Sequence, residues 1–219
     1  MIRHGETESN RQRLALGRED VPLNAKGRRQ AAALLASLDG VPLAAVYASP
    51  LRRAVETARP LAEARGLEVQ VDEDLTEMAV GELEGLSPQE LRDRYGDFLR
   101  EWFSTEAGRL RMPGGESLQD VEDRAWAAIE RLRERHPDET VVAVTHNFTI
   151  HAVLCKALGL PLDGFRRFRH DLAAKAVLDV RQDRAVVISL NDTCHLEVEG
   201  LREARGYWGR PDSQRMSNG

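Results

Sequence analysis

Thr140-Val141-Val142-Ala143-Val144-Thr145-His146-Asn147-Phe148 is the stretch that decides the fold. Its first six residues are small, apolar or β-branched, with no polar alternation. A strand of that kind is buried on both faces, as in a parallel sheet covered by two layers of helices. A histidine follows at once, and a helical pattern runs from Phe148 to about Leu158. The polar residues therefore stand at the carboxyl end of a strand, where open parallel sheets bind ligands.

The same joint recurs on the amino-terminal side. Residues 43–48 read as a buried strand, and Ser49-Pro50 reads as the start of a helix, with proline at its first position. That helix runs to about Arg65, where Gly66 can end it, and 67–71 read as a short strand. Asn24 can cap an earlier helix whose Ala31, Leu34, Leu35 and Leu38 form one stripe. Ser117 can cap another, with Leu118, Val121, Ala125, Ile129 and Leu132 on one face. Residues 174–180 and 185–190 read as a closing pair of strands around Gln182-Asp183. Residues 85–113 carry Tyr95, Phe98, Trp102 and Phe103 among many charges and read as a helical insertion. The expected architecture is α/β, a three-layer sandwich. Its central sheet is mostly parallel, with helices on both faces and the insertion over the active site. One such domain spans 1–205, and 206–219 form a loose tail rich in Gly, Ser, Arg and Asn.

Bulk properties narrow the function. With 219 residues, 42% hydrophobic and 31% charged, the chain can bury a full core. A net charge of −5 disfavours a dedicated nucleic-acid binder. Lysine occurs only at positions 26, 156 and 175, so nearly all basic residues are arginine and a single arginine means little outside a motif. Cys155 and Cys194 are far apart and form no zinc spacing. Thiols this sparse fit a reducing compartment. No apolar run is long enough to span a bilayer, so the expected location is the cytoplasm.

Four segments carry chemistry: Arg3-His4-Gly5-Glu6-Thr7 with Asn10; Ser49-Pro50-Leu51-Arg52-Arg53-Ala54 with Thr57; Leu75-Thr76-Glu77 with Gly81 and Glu84; and Thr145-His146-Asn147. Together they resemble the histidine phosphatase superfamily, also called the phosphoglycerate mutase-like family. The resemblance runs from Arg3 to about His195. It extends to the Pro-Gly-Gly-Glu-Ser stretch at 113–117 and the Leu-Asn-Asp-Thr stretch at 190–193.

The resemblance implies a phosphomonoesterase that forms a phosphohistidine on His4. Phosphoryl transfer asks a protein mainly for positioning and charge stabilisation, and arginine supplies fork-shaped donors for a phosphate dianion. Arg3, Arg53 and His146 would converge on the phosphate oxygens, with the Asn10 amide and the Asn147 backbone N–H as neutral donors. The same cations should keep His4 neutral and nucleophilic. The resemblance assigns proton donation to the leaving alcohol to Glu77, whose pKa must then be raised. His146 is also counted with the catalytic residues. No cofactor or metal is expected. The partner is a small-molecule phosphate ester, with no nucleic acid and no membrane, and a homodimer stays open. His136, His151, His170 and His195 read as structural or exposed.

Two departures stand out. Asn147 replaces the glycine common after the second histidine. An apolar strand usually precedes the Arg-His-Gly motif, but only Met1 and Ile2 do so here, so further residues are expected upstream. Two other functions compete. A 2,3-bisphosphoglycerate-dependent phosphoglycerate mutase would typically have a longer insertion and a tryptophan where Ser9 stands, although Arg109 and Arg111 could bind a substrate carboxylate. A non-catalytic phospho-ligand module would usually have lost one of His4, Arg3, Arg53, Glu77 and His146.

Overall fold

Val46, Ala48, Val142 and Val144 pack to one side of the sheet; Ala45, Tyr47 and Ala143 pack to the other. The two-residue period of a strand makes this separation, and apolar residues at both parities demand cover on both faces. The computed structural model describes residues 1–103, 108–197 and 200–202. Six strands form one sheet: β1 (Ile2–Arg3), β2 (Ala45–Ala48), β3 (Val69–Val71), β4 (Val141–Thr145), β5 (Lys175–Val180) and β6 (Ala185–Asp192). Their order is β3-β2-β4-β1-β5-β6. The first four are parallel, whereas β5 runs antiparallel to β1 and β6 antiparallel to β5.

The helices are α1 (Glu8–Gln12), α2 (Ala25–Ser37), α3 (Arg52–Ala64), α4 (Pro88–Trp102), α5 (Leu118–Arg135), α6 (Asn147–Ala157) and α7 (Cys194–Glu197). Leu34 of α2 and Ala54, Ala58, Leu61 and Ala62 of α3 cover one face. Ala128 and Leu132 of α5 cover the other beside Leu75, and α6 packs along α5. The result is the three-layer sandwich expected from the strand pattern.

Asn24 and Ser117 cap α2 and α5 through their side chains, as expected. The start of α3 differs from the sequence reading. Its first residue is Arg52 and Leu51 is the cap residue, so Pro50 lies outside the helix. The physical reason is that Ser49 has another partner, His146, and the Arg52 N–H donates instead to Asp20 Oδ1 at 2.7 Å. A distant carboxylate thus replaces the local cap.

β1 has only two residues, yet it is held on both sides. Ile2 and Arg3 pair with Val144 and Thr145, and Ile2 also pairs with Lys175. The insertion contributes α4, broken at Tyr95 by non-helical angles. Leu91 and Trp102 of α4 pack with Leu118, Val121, Ala152 and Phe165, so the insertion rests on α5 and α6 rather than on the strands. Trp102 also meets the ring of Phe148 edge-on at 6.4 Å. The aromatics of 95–103 are therefore mostly core, although Phe103 is exposed. Part of the insertion, 104–107, and the expected tail, 206–219, lie outside the described residues.

Candidate active site

β2, β4 and β1 are neighbours and parallel, so their carboxyl ends open on one edge. The His4 N–H donates to Thr145 O at 2.9 Å, and the Ser49 N–H donates to Val144 O at 3.0 Å. The ladders thus carry His4, Ser49 and His146 side by side just past the strand ends. The rings of His4 and His146 lie 5.1 Å apart.

His4 is 3% exposed. Its Nδ1 lies 2.7 Å from Gly5 O. A carbonyl only accepts, so Nδ1 carries the proton and Nε2 presents its lone pair. Burial, then the Arg53 and Arg3 guanidinium groups, hold the His4 pKa well below the usual histidine range. The ring is neutral, and the adjacent backbone decides which nitrogen keeps its lone pair. Gly5 is required by space, since a Cβ there would meet Gly27 O at 2.6 Å. The Gly5 N–H donates to Thr57 Oγ1, which donates in turn to Arg53 O, tying this loop to α3.

Arg53 is wholly buried, and burial lowers its pKa to about 10, which leaves it charged. Its Nη1 and Nη2 donate to Glu19 O and Gly17 O at 2.7 and 2.6 Å. Arg3 Nη1 donates to His170 O at 2.7 Å. Each guanidinium is steered by carbonyls that carry no net charge, so the cation is not cancelled. Among the described residues, Nε of both arginines is buried without a protein partner.

The Glu77 carboxyl is buried at the amino end of α6. Oε1 accepts from the N–H groups of Met78 (2.9 Å), Phe148 (3.1 Å) and Thr149 (3.3 Å). Burial raises its pKa, opposed in order by the Met78 N–H, Arg53, the Phe148 N–H and Arg3. The Phe148 N–H is shared with Oε2 at 3.3 Å, so Oε2 is the less engaged oxygen and the one better placed to carry a proton. The Glu77 backbone is clasped as well. Arg124 donates to Asp74 O, Thr76 O and Glu77 O, and Arg18 donates to Glu77 O. Glu116, from the Pro-Gly-Gly-Glu-Ser stretch, accepts from both arginines and from the Ala79 N–H.

His146 immediately precedes α6, and its side chain turns to Ser49, with Nε2 2.7 Å from Ser49 Oγ. Asn147 is the first residue of α6 and has no positive φ. The glycine-to-asparagine departure therefore needs no unusual backbone angles. Asn10 sits in α1, where its Oδ1 accepts from the N–H and Oγ of Thr7. That leaves its amide nitrogen as the end able to serve a ligand.

His4, Arg3, Arg53, Glu77 and His146 are all buried, the two rings lie 5.1 Å apart, and the charges of Arg3 and Arg53 act on His4, Glu77 and His146. The other histidines are structural. His151 faces Asn147 O and Phe168 O, and His170 and His195 face Ala174 O and Ala173 O. His136 meets Tyr47 and Glu139. Arg111 is tied to Gly115 O and Asp120, and Arg109 lines a separate cleft of about 390 Å³ with Gln119 and Asp163. Ser49, Thr57, Arg18, Arg124 and Glu116 escaped the residue-by-residue reading. Only the motif membership of Ser49, Thr57 and Glu116 could have signalled them. Arg18 and Arg124 lie in no motif.

A parallel sheet that gathers two histidines, two arginines and a raised carboxyl at its strand ends defines a phosphoryl-transfer protein. The chain belongs to the histidine phosphatase superfamily (branch 1), whose sequence model matches residues 1–193. It is 35% identical over 196 residues to phosphoserine phosphatase 1 of Hydrogenobacter thermophilus, covering 90% of this chain and 92% of that one. It is 30% identical over 209 residues to the probable phosphoglycerate mutase GpmB of Salmonella choleraesuis, covering 93% and 96% of the two chains. A solved mycobacterial glucosyl-3-phosphoglycerate phosphatase in complex with VO3 superposes with a TM-score of 0.81 at 31% identity, covering 88% and 98%. No helix of the described residues is long and apolar enough to cross a membrane.

Proposed function

We propose that the chain is a phosphomonoesterase that hydrolyses a small phosphorylated metabolite in two steps. Neutral His4 beside Arg3 and Arg53 is the observation that carries the reading. The guanidinium groups, His146, the Asn10 amide and the Asn147 N–H take the phosphate oxygens. His4 Nε2 attacks phosphorus and the bond to the alcohol oxygen breaks. Glu77 gives its proton to the departing alkoxide. Glu77 then takes a proton from water as that water attacks phospho-His4, which releases phosphate and restores both groups.

Acid-quenched enzyme should contain phosphohistidine, and His4→Ala should lose both the adduct and turnover. Undiminished turnover in His4→Ala would sink the mechanism. Phosphoserine is the first ester to assay, because relatives act on phosphoserine and on a phosphoglycerate derivative by name. A relative called a mutase keeps one second reading in play. Assays with and without 2,3-bisphosphoglycerate separate the two: a phosphatase releases inorganic phosphate without it, and a mutase needs it to interconvert phosphoglycerates. The cytoplasm fits two unpaired cysteines, one of them exposed. Cell fractionation tests that location, and light scattering tests the homodimer.

A further inference from the structure

The geometry points to Ser49 as the residue that sets the tautomer of His146, so that His146 offers phosphate an N–H and not a lone pair. This inference rests on the phosphatase reading. Ser49 is fully buried between β2 and α3. The Leu51 N–H donates to Ser49 Oγ at 3.3 Å. His146 Nε2 lies 2.7 Å from the same oxygen. A hydroxyl that already accepts the backbone N–H has its own proton to give, and the imidazole nitrogen is the acceptor within reach. The chain of donors then runs from Leu51 N–H to Ser49 Oγ–H to His146 Nε2.

With Nε2 accepting, a neutral ring must carry its proton on Nδ1. Among the described residues, His146 Nδ1 is buried without a protein partner. It is the ring nitrogen left for the ligand, in a ring 5.1 Å from the nucleophile's. The reverse tautomer would aim a lone pair at a phosphate oxygen, with repulsion in place of a hydrogen bond. Burial, then Arg53, hold the pKa of this ring well below the usual range, so a second proton is disfavoured. Ser49 is thus a positioning residue. Its hydroxyl acts on phosphate through His146 and touches no substrate.

Long-range 1H–15N spectra of histidine-labelled enzyme read the tautomer directly, with the His146 signals assigned by their loss in His146→Gln. The wild-type ring should be the Nδ1–H form, without ligand and with inorganic phosphate. Ser49→Ala should move it to the Nε2–H form or a mixture and weaken phosphate binding about tenfold, as expected for one lost hydrogen bond to a charged group. Ser49→Thr, which keeps the hydroxyl, should restore both. An Nε2–H or doubly protonated His146 in wild type overturns the inference, as does an unchanged tautomer in Ser49→Ala. If Ser49→Ala fails to fold, the wild-type spectrum still decides. Absence of turnover on every ester would sink the phosphatase reading alone, because the spectra need no reaction.

Discussion

Glu77 shows how one carboxyl can be tuned by opposing forces. Burial favours its protonated form, while the Met78 and Phe148 N–H groups and two arginines favour the anion. Burial prevails, which suits an acid that must hold a proton near neutral pH. The consequence is a dependence on leaving group. Glu77→Gln should slow hydrolysis of an alkyl phosphate by roughly 10²–10⁴-fold, and p-nitrophenyl phosphate far less, because p-nitrophenolate departs without a proton. Equal losses in kcat/KM on both esters would remove Glu77 from the acid role. In wild type the rate on alkyl esters should fall as pH rises through the Glu77 pKa, since the acid is then already ionised.

At the scale of elements, the turn carrying Glu77 has no regular structure of its own beyond a short 3-10 turn, Glu73–Leu75. It depends on α5, whose Arg124 reaches three of its carbonyls and the Glu116 carboxylate. Arg124 and Glu116 are largely buried, with side chains 15% and 18% exposed. Breaking a buried pair by removing one partner costs about 3 kcal/mol, because the other charge is left without compensation. Arg124→Ala should lower unfolding stability by about that amount, measured by urea titration, and should reduce kcat more than KM as Glu77 loosens. Stability within about 0.5 kcal/mol of wild type would mean that the clasp carries no load. Glu116 could be placed in a motif from the sequence alone. Arg124 could not, because it is one of four arginines on α5 and only packing selects it.

Across the whole molecule, His4, His146 and His170 are buried neutral, each held well below the usual histidine range chiefly by burial. The unfolded chain binds protons at these sites near pH 6.5, whereas the folded chain does not. Stability is therefore full above about pH 6.5 and is lost as pH falls below it toward the folded values. Urea midpoints should stay level from pH 8 to about pH 7 and drop as pH falls from about 6.5 toward 5. Glu77, with its raised pKa, acts in the opposite sense, so the drop should be steeper in Glu77→Gln; a flat profile in that variant as well would mean that the histidines ionise in the folded state.

The sequence by itself determined the layer architecture and named the residues of the candidate site. The apolar run at 140–145 calls for cover on both faces, and three of the four polar segments follow strand ends, so a covered parallel sheet with a ligand site at one edge follows from local pattern, while the resemblance to a family made that ligand a phosphate. Strand and helix periods are local properties, and motif residues are recognised one by one. Tertiary structure alone decided the rest. It drew Asp20 across to cap α3, gave Ser49 to His146, and placed the Arg18, Arg124 and Glu116 clasp on Glu77. Apart from Arg124–Glu116, these contacts join residues 32 to 98 positions apart. No periodicity encodes them, because they exist only once the strands have paired and the helices have packed.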